Sequence, residues 1–394
     1  MFLKKIYILL LFISFVFPSL KAWNTDSLQI SLLTVMPRSN EVYTVYGHTA
    51  LRIYDPTQNR DLVFNYGMFN FNEPNFLFRF LKGETDYSLG VESYDNFLYG
   101  YYRGNSTVIE QILDISPQGK NDLLQMLSIN LMPENLIYRY NFLFDNCTTR
   151  IRDIIEKYSG GELIYPEQTQ KYTFRELIHS CTNPYPWMTF GIDLLIGSGA
   201  DSLVNLRQTF FLPLHFKEAL DKSYVNNSLI VISSEEVLKS SSDSSSELKF
   251  WDSPLKVGFF IFAIYLLIAF LGYIKRRKLK GAFGLLFLIA GLAGILIGFM
   301  TLFSYHPCTS SNWNLLWLHP FHLIAFIGYF FKKSYRIISW YHVVNLVLLS
   351  VLLIGWYWIP QGLNVANIPY ILCLGLASGY WLYRTKQIRN GYTG

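Results

Sequence analysis

Two hydrophobicity regimes divide the chain. From about residue 255 onward, apolar blocks follow one another with few charges; before that point, apolar positions are interspersed with polar ones, as in a water-soluble domain. The apolar blocks run 255–274, 282–303, 315–331, 339–359 and 367–384. Each is long enough to cross a bilayer, which takes roughly 20 residues. The segments after the first (KRRKLK, 275–280), third (Lys332, Lys333, Arg336) and fifth (Arg384, Lys386, Arg389) blocks are basic, and those after the second and fourth carry no Lys or Arg. Basic loops face the cytoplasm, so residues 23–254 are expected outside and the C-terminus inside.

The N-terminal pattern predicts the same side independently. In MFLKKIYILLLFISFVFPSLKAW, Lys4 and Lys5 precede a short apolar run, then Pro18 and small residues ending at Ala22. That is the plan of a signal peptide over 1–22. The expected organisation is then a soluble extracytoplasmic domain over 23–235, a polar Ser-rich linker over 236–254 (KSSSDSSSELK at its centre), a membrane domain of five helices over 255–385, and a cytoplasmic tail over 386–394.

Inside the soluble part the pattern is that of an α+β domain. EVYTVYGHTALRIYDP, DLVFNYG and STVIEQILDIS read as strands, being rich in β-branched and aromatic residues, with Asn59 in the turn between the first two. SPQGKNDLLQMLSINLM reads as a helix, with Ser116 as N-cap and Pro117 at its first position. NCTTRIRDIIEKYSGG reads as an amphipathic helix stopped by Gly160 and Gly161. Residues 172–222 alternate helical stretches with glycine breaks and hold apolar clusters that either build a core or rest on the bilayer.

A formal charge of +5 is modest, and its excess Lys and Arg lie beside apolar blocks, so nucleic-acid binding is not expected. The four cysteines, Cys147, Cys181, Cys308 and Cys373, are too sparse for a disulfide framework. Cysteine and histidine spacing does not fit a zinc site, and neither metal nor cofactor is expected.

Chemistry concentrates around Cys147. It falls in the first turn of the predicted helix, where the helix dipole favours a thiolate. A thiol there is a small buried filler, half of a disulfide, or a nucleophile. The nucleophile needs a base, and His48, His179 and His215 are the histidines of the soluble domain. His48 follows a glycine at the start of a strand, and Asn65 on the next strand is positioned to hold its tautomer if the register makes both face the same way. Arg150 and Arg152 on the Cys147 helix are candidates for lipid phosphate, or else for structural ion pairs. The loop SYHPCTSSNWNLLWLHPFH gathers His306, Asn312, Asn314, His319 and His322 on the outer side, with Trp313 and Trp317 expected at the membrane interface.

The order of His-strand, polar strand and Cys at a helix start resembles the circularly permuted papain-like hydrolases, including the lecithin:retinol acyltransferase-like enzymes. Their nucleophile lies in an Asn-Cys motif similar to Asn146-Cys147, and the resemblance assigns Tyr46 to the oxyanion. YGHTALRIYDP, VFNYGMFNF, NFLFDNCTTRIRD and NWNLLWLHP together resemble the Lnb family of Bacteroidetes. That resemblance implies a permuted papain-like domain with an antiparallel sheet plus helices, followed by a multi-span membrane part. It also implies a cysteine acyltransferase in the inner membrane. The enzyme would move a fatty acyl chain from a phospholipid donor, in the lipid bilayer, to the amine of a diacylglyceryl lipoprotein acceptor. The expected machinery is Cys147 as nucleophile, His48 as base, Asn65 as third member, and Tyr46 and Asn146 in support. The permuted group often has His as third member, which leaves the role of Asn65 open. The alternatives are a hydrolase, either a cell-wall peptidase or a phospholipase, and a non-catalytic sensor or scaffold.

Overall fold

The computed structural model describes residues 23, 25–38, 44–241 and 249–389. The expected signal peptide, the centre of the Ser-rich linker and the last five residues lie outside the described residues. The soluble part is built on a seven-stranded sheet of β1 (Gln29–Val35), β2 (His48–Asp55), β3 (Arg60–Met68), β4 (Asp86–Ser93), β5 (Val108–Leu113), β6 (Ile137–Arg139) and β7 (Val231–Leu238). Their spatial order is β7-β5-β1-β2-β3-β4-β6, and every pairing is antiparallel. The expected mixed α and β class is therefore what the chain adopts. Strand β1 (QISLLTV) is central and buried on both faces, so its apolar run lacks the alternation that marks a half-buried strand. Strand β7 carries the sheet to Leu238, three residues into the stretch expected as linker.

The helices of this part are α1 (Phe76–Lys82), α2 (Tyr94–Arg103), α3 (Pro117–Asn130), α4 (Cys147–Tyr158), α5 (Phe174–Thr182), α6 (Pro186–Leu195) and α7 (Pro213–Leu220). Ser116 caps α3 as expected, its Oγ accepting from Gly119 N–H at 3.1 Å. One face of the sheet, with Leu32, Leu51, Ile53 and Phe64, packs on Leu123 and Leu127 of α3, Ile151 and Ile155 of α4, and Phe216 of α7. The other face, with Leu33, Ala50 and Val63, is covered by Phe97 of α2. Phe210, Phe211 and Leu212 are core residues, which settles the apolar cluster there in favour of burial in protein.

In the second half, α8 (Pro254–Ile274), α9 (Lys280–Phe303) and α11 (Tyr335–Ile354) are long and apolar enough to cross a membrane. Helix α12 (Asn367–Arg389) has 23 residues. The third expected span differs. Block 315–331 forms a 3₁₀ turn at Trp313–Leu316 and then only the seven-residue α10 (His322–Gly328). Pro320 cannot extend a helix begun before it, and Asn314 spends its amide outside the block. At about 1.5 Å per residue, α10 covers about 10 Å. Glycines of α9 bring it close: a Cβ on Gly294 would lie 2.5 Å from the His319 carbonyl carbon. Trp317 is buried in protein, with its Nε1–H donated to Asn314.

The two halves are bonded directly. Asn312 and Asn314 donate to the carbonyls of Leu194 (2.8 Å) and Asp193 (2.9 Å) on α6. Asn364 donates to the Asp193 carboxylate at 2.9 Å, and Gln361 to the Ile196 carbonyl at 3.0 Å. The Asp193 carboxylate also pairs with Arg175 at 2.6 Å. Both members of that pair are buried, which makes α6 the seat of the soluble part on the membrane helices.

Candidate active site

Cys147 is the first residue of α4, and Asn146 is its cap. The Asn146 Oδ1 accepts from the N–H groups of Thr148 and Thr149, each at 2.9 Å. Its Nδ2 donates to the carbonyls of Phe142 (3.0 Å) and Phe211 (2.8 Å). The amide is thus fully engaged in fixing the start of the helix. With its oxygen and both amide hydrogens occupied, it is not offered to an oxyanion. The N–H of Cys147 itself, at the first helical position, has no intrahelical acceptor and is the donor that remains there.

His48 is the first residue of β2. In the β2–β3 register Leu51 faces Phe64, and in the β3–β4 register Val63 faces Glu92 and Asn65 faces Gly90. Since side chains alternate along a strand, His48, Asn65 and Glu92 share one face. His48 Nε2 lies 3.1 Å from Asn65 Oδ1, and Asn65 Nδ2 lies 2.8 Å from Glu92 Oε1. A carboxylate only accepts, which fixes the Asn65 amide with nitrogen toward Glu92 and oxygen toward His48. Asn65 therefore accepts from Nε2–H, and Nδ1 is left for the thiol, to which His48 is hydrogen-bonded. At the end of β3, Gly67 has φ +94°, and a Cβ there would stand 3.6 Å from the Cβ of Cys147. Helix α4 packs on the opposite face of the sheet, so this bare glycine lies where thiol and imidazole meet.

Burial alone would raise the Cys147 pKa. The facing His48 charge, the His48 hydrogen bond, the Thr49 N–H and the Thr148 hydroxyl outweigh it and hold the thiol below its usual range. Burial alone would lower His48; the Cys147 thiolate, its hydrogen bond, Asn65 and the Glu92 charge together raise it. Burial raises Glu92, against the Asn65 hydrogen bond and the His48 charge. The four residues Cys147, His48, Asn65 and Glu92 form a row in which the thiol is held low and the imidazole high. Cys147 as a residue is half-buried, with its thiol group on the buried side, and Cys147, Cys181, Cys308 and Cys373 are all free thiols.

A cavity of about 450 Å³ is lined by three of these four residues, His48, Asn65 and Glu92, together with Gly67, Met68 and Phe71 among others; Cys147 is not part of its lining. Tyr46 packs edge-on against Phe142 at 4.7 Å, next to the cluster of Phe174 and Phe211. Arg150 and Arg152 do not line the cavity. Arg150 makes a two-pronged pair with Asp145 (2.6 and 2.8 Å) and stacks on Tyr138. Arg152 is buried, paired with Asp153 at 2.6 Å. Of their two expected uses, ion pairing is the one the geometry displays. His179 pairs with Asp193 at 2.9 Å, and His215 stands against Tyr172, so neither competes with His48. Glu92 was not legible as a site residue. Its signal lay in the alternation of DYSLGVES, which fixes its face only once the pairing with β3 is known. Among the described residues, no group of three or more His, Cys, Asp or Glu could hold a metal.

Two family models match the chain: the Lnb N-terminal periplasmic domain over residues 18–180 and the Lnb transmembrane domain over residues 245–388. The first spans the whole Cys147–His48–Asn65–Glu92 row. No curated protein and no solved structure matches.

Proposed function

The chain belongs to the Lnb family, and from that premise we propose that it is a cysteine acyltransferase of the inner membrane. It takes a fatty acyl chain from a phospholipid and gives it to the α-amine of a diacylglyceryl-cysteine lipoprotein. The observation that carries this reading is the polarised row of Cys147, His48, Asn65 and Glu92, in a periplasmic domain bonded through α6 to membrane helices.

The Cys147 thiolate attacks the ester carbonyl of the donor. The Cys147 N–H and the helix start supply the oxyanion donors, and Tyr46, two positions before His48, assists. As the C–O bond breaks, the His48 imidazolium gives its proton to the departing lysophospholipid oxygen, leaving a thioester and a neutral imidazole. The acceptor amine then attacks the thioester carbonyl. His48 takes the proton the amine loses, the C–S bond breaks, and the thiolate–imidazolium pair is restored. Asn65 and Glu92 hold the ring so that one nitrogen serves both proton transfers. Asn146 keeps the sulfur at the helix start.

The test is incubation of the protein with phospholipid labelled in its acyl chain, with and without a diacylglyceryl-cysteine peptide bearing a free amine. Label on the peptide amine is the expected result. Free fatty acid regardless of acceptor would make the protein a lipase. Cleavage of cell-wall peptide without lipid turnover would make it a peptidase.

A further inference from the structure

The acyl donor must travel from the bilayer to a sulfur in a separate domain, and one segment of that domain has the chemistry of a path. Helix α1, FLFRFLK, has no buried residue. Leu77, Phe78 and Phe80 are 70%, 56% and 43% exposed, and Phe71 just before the helix is 63% exposed. A seven-residue helix depends on burying an apolar face, and this one leaves most of its apolar side chains outside the protein.

Its position relative to the membrane is fixed by bonds. Tyr305 N–H donates to the Lys82 carbonyl at 2.8 Å, and His306 Nε2 donates to the Phe80 carbonyl. Gly83, at φ +74°, lets the backbone of His306 come so near that a Cβ would stand 2.9 Å from its nitrogen. Phe78 meets Phe299 at 5.8 Å between centroids. Phe299 lies four residues inside the end of span α9, hence about 6 Å along the helix from that end. The neighbouring Leu302 and Phe303 are 74% and 62% exposed. The exposed face of α1 is therefore at the depth of the last turn of a membrane-spanning helix.

From α1 an unbroken run of rings leads inward. Phe80 stacks on Phe76 at 6.2 Å; Phe76 meets Phe69 at 6.2 Å and Phe71 at 5.2 Å; Phe69 meets Phe71 at 4.7 Å. Phe69, Phe71 and Met68 then form the wall of the cavity that holds His48 and Asn65. Gly67, next in sequence, faces Cys147: a Cβ there would stand 3.6 Å from the Cys147 Cβ.

We infer that residues 68–82 are the acyl-chain entry of the enzyme: α1 lies in the outer leaflet, and the Phe80–Phe76–Phe69/Phe71 ladder guides a phospholipid's chain from the leaflet to the cavity lined by His48 and Asn65. The occupant is lipid rather than protein, because the exposed face continues the lipid-facing surface of α9 and ends in the cavity. The inference rests on the acyl-transfer reading for its purpose, but not for its geometry.

Two measurements on the full chain in phosphatidylethanolamine–phosphatidylglycerol vesicles test it. In the first, Leu77→Glu/Phe78→Glu is compared with the unaltered chain. Acylation of Cys147 from vesicle phospholipid is expected to fall by about tenfold or more, since carboxylates resist entry into the leaflet. Alkylation of Cys147 by iodoacetamide stays unchanged, showing an intact thiol and fold. Equal acylation of both chains by phospholipid would overturn the entry while leaving acyl transfer standing. In the second, benzoylphenylalanine replaces Leu77 and is photolysed in vesicles containing radiolabelled phospholipid. Lipid on the protein is expected, and this readout holds whether or not Cys147 is acylated. A cross-link to a second copy of the chain, or none to lipid, would overturn the proposal.

Discussion

Replacing Asn65 with alanine takes away the acceptor of the His48 Nε2–H bond and leaves thiol and imidazole in place. The bond is 3.1 Å long, and Asn65 is itself held by Glu92 at 2.8 Å. A hydrogen bond to a charged group contributes about 1.5–3 kcal/mol. Its loss therefore lowers the His48 pKa. The imidazolium is the main group that offsets burial at Cys147, so the thiol pKa rises in turn. The sign follows from the two directions. Cys147 is held low, and the thiolate is lost as pH falls through its folded pKa. His48 is held high, and the imidazolium is lost as pH rises through its own. Asn65→Ala narrows the window from both sides. The assay is the rate of iodoacetamide alkylation of Cys147 against pH, with acyl transfer measured over the same range. The acidic midpoint of alkylation should move up, and the alkaline limb of acyl transfer should move down. Glu92→Gln should shift both in the same sense by less. Profiles that coincide with those of the unaltered chain would refute the relay.

Asn146→Ala removes the cap of α4 and should cost about 1–2 kcal/mol, seen as a lower Tm, together with slower alkylation of Cys147. Gly47→Ala places a Cβ 2.5 Å from the Val35 carbonyl oxygen at φ +77°; it should cost about 1–3 kcal/mol and displace His48, read as lost acyl transfer. Asp193→Ala strips Arg175 of one of its two carboxylates and Asn364 of its acceptor, leaving only Asp201 at 2.8 Å. It should destabilise the chain by about 3 kcal/mol and expose α6 to protease in detergent.

The sequence disclosed those parts of the molecule whose chemistry is local. The helix start at Cys147 was marked by its Asn cap, and β2 and β3 by their β-branched and aromatic content around Asn59, which sits at φ 48° in the turn. His48 and Asn65 were singled out as residue types, but their shared face depended on register. Glu92 depended on a third strand, β4, whose alternation is broken by Gly90. Strand β1 was hidden because burial on both faces erases the period-two pattern. The irregularity of the third apolar block was not legible because composition measures apolarity and not continuity: Pro320 divides it, and His322 is bonded to the Trp317 carbonyl within the block. Arg150 and Arg152 drew attention as cations near the thiol, but carboxylates one and five positions away already pair with them.

The central claim is that the Cys147 sulfur carries an acyl group taken from phospholipid. The most direct measurement is intact and peptide mass of the purified chain after incubation with a phospholipid of defined acyl composition and no acceptor. The account predicts a mass increase of one acyl chain, located on the peptide containing Cys147, released by neutral hydroxylamine and absent from Cys147→Ser. An adduct that persists in Cys147→Ser, or none at all while phospholipid is consumed, would contradict it.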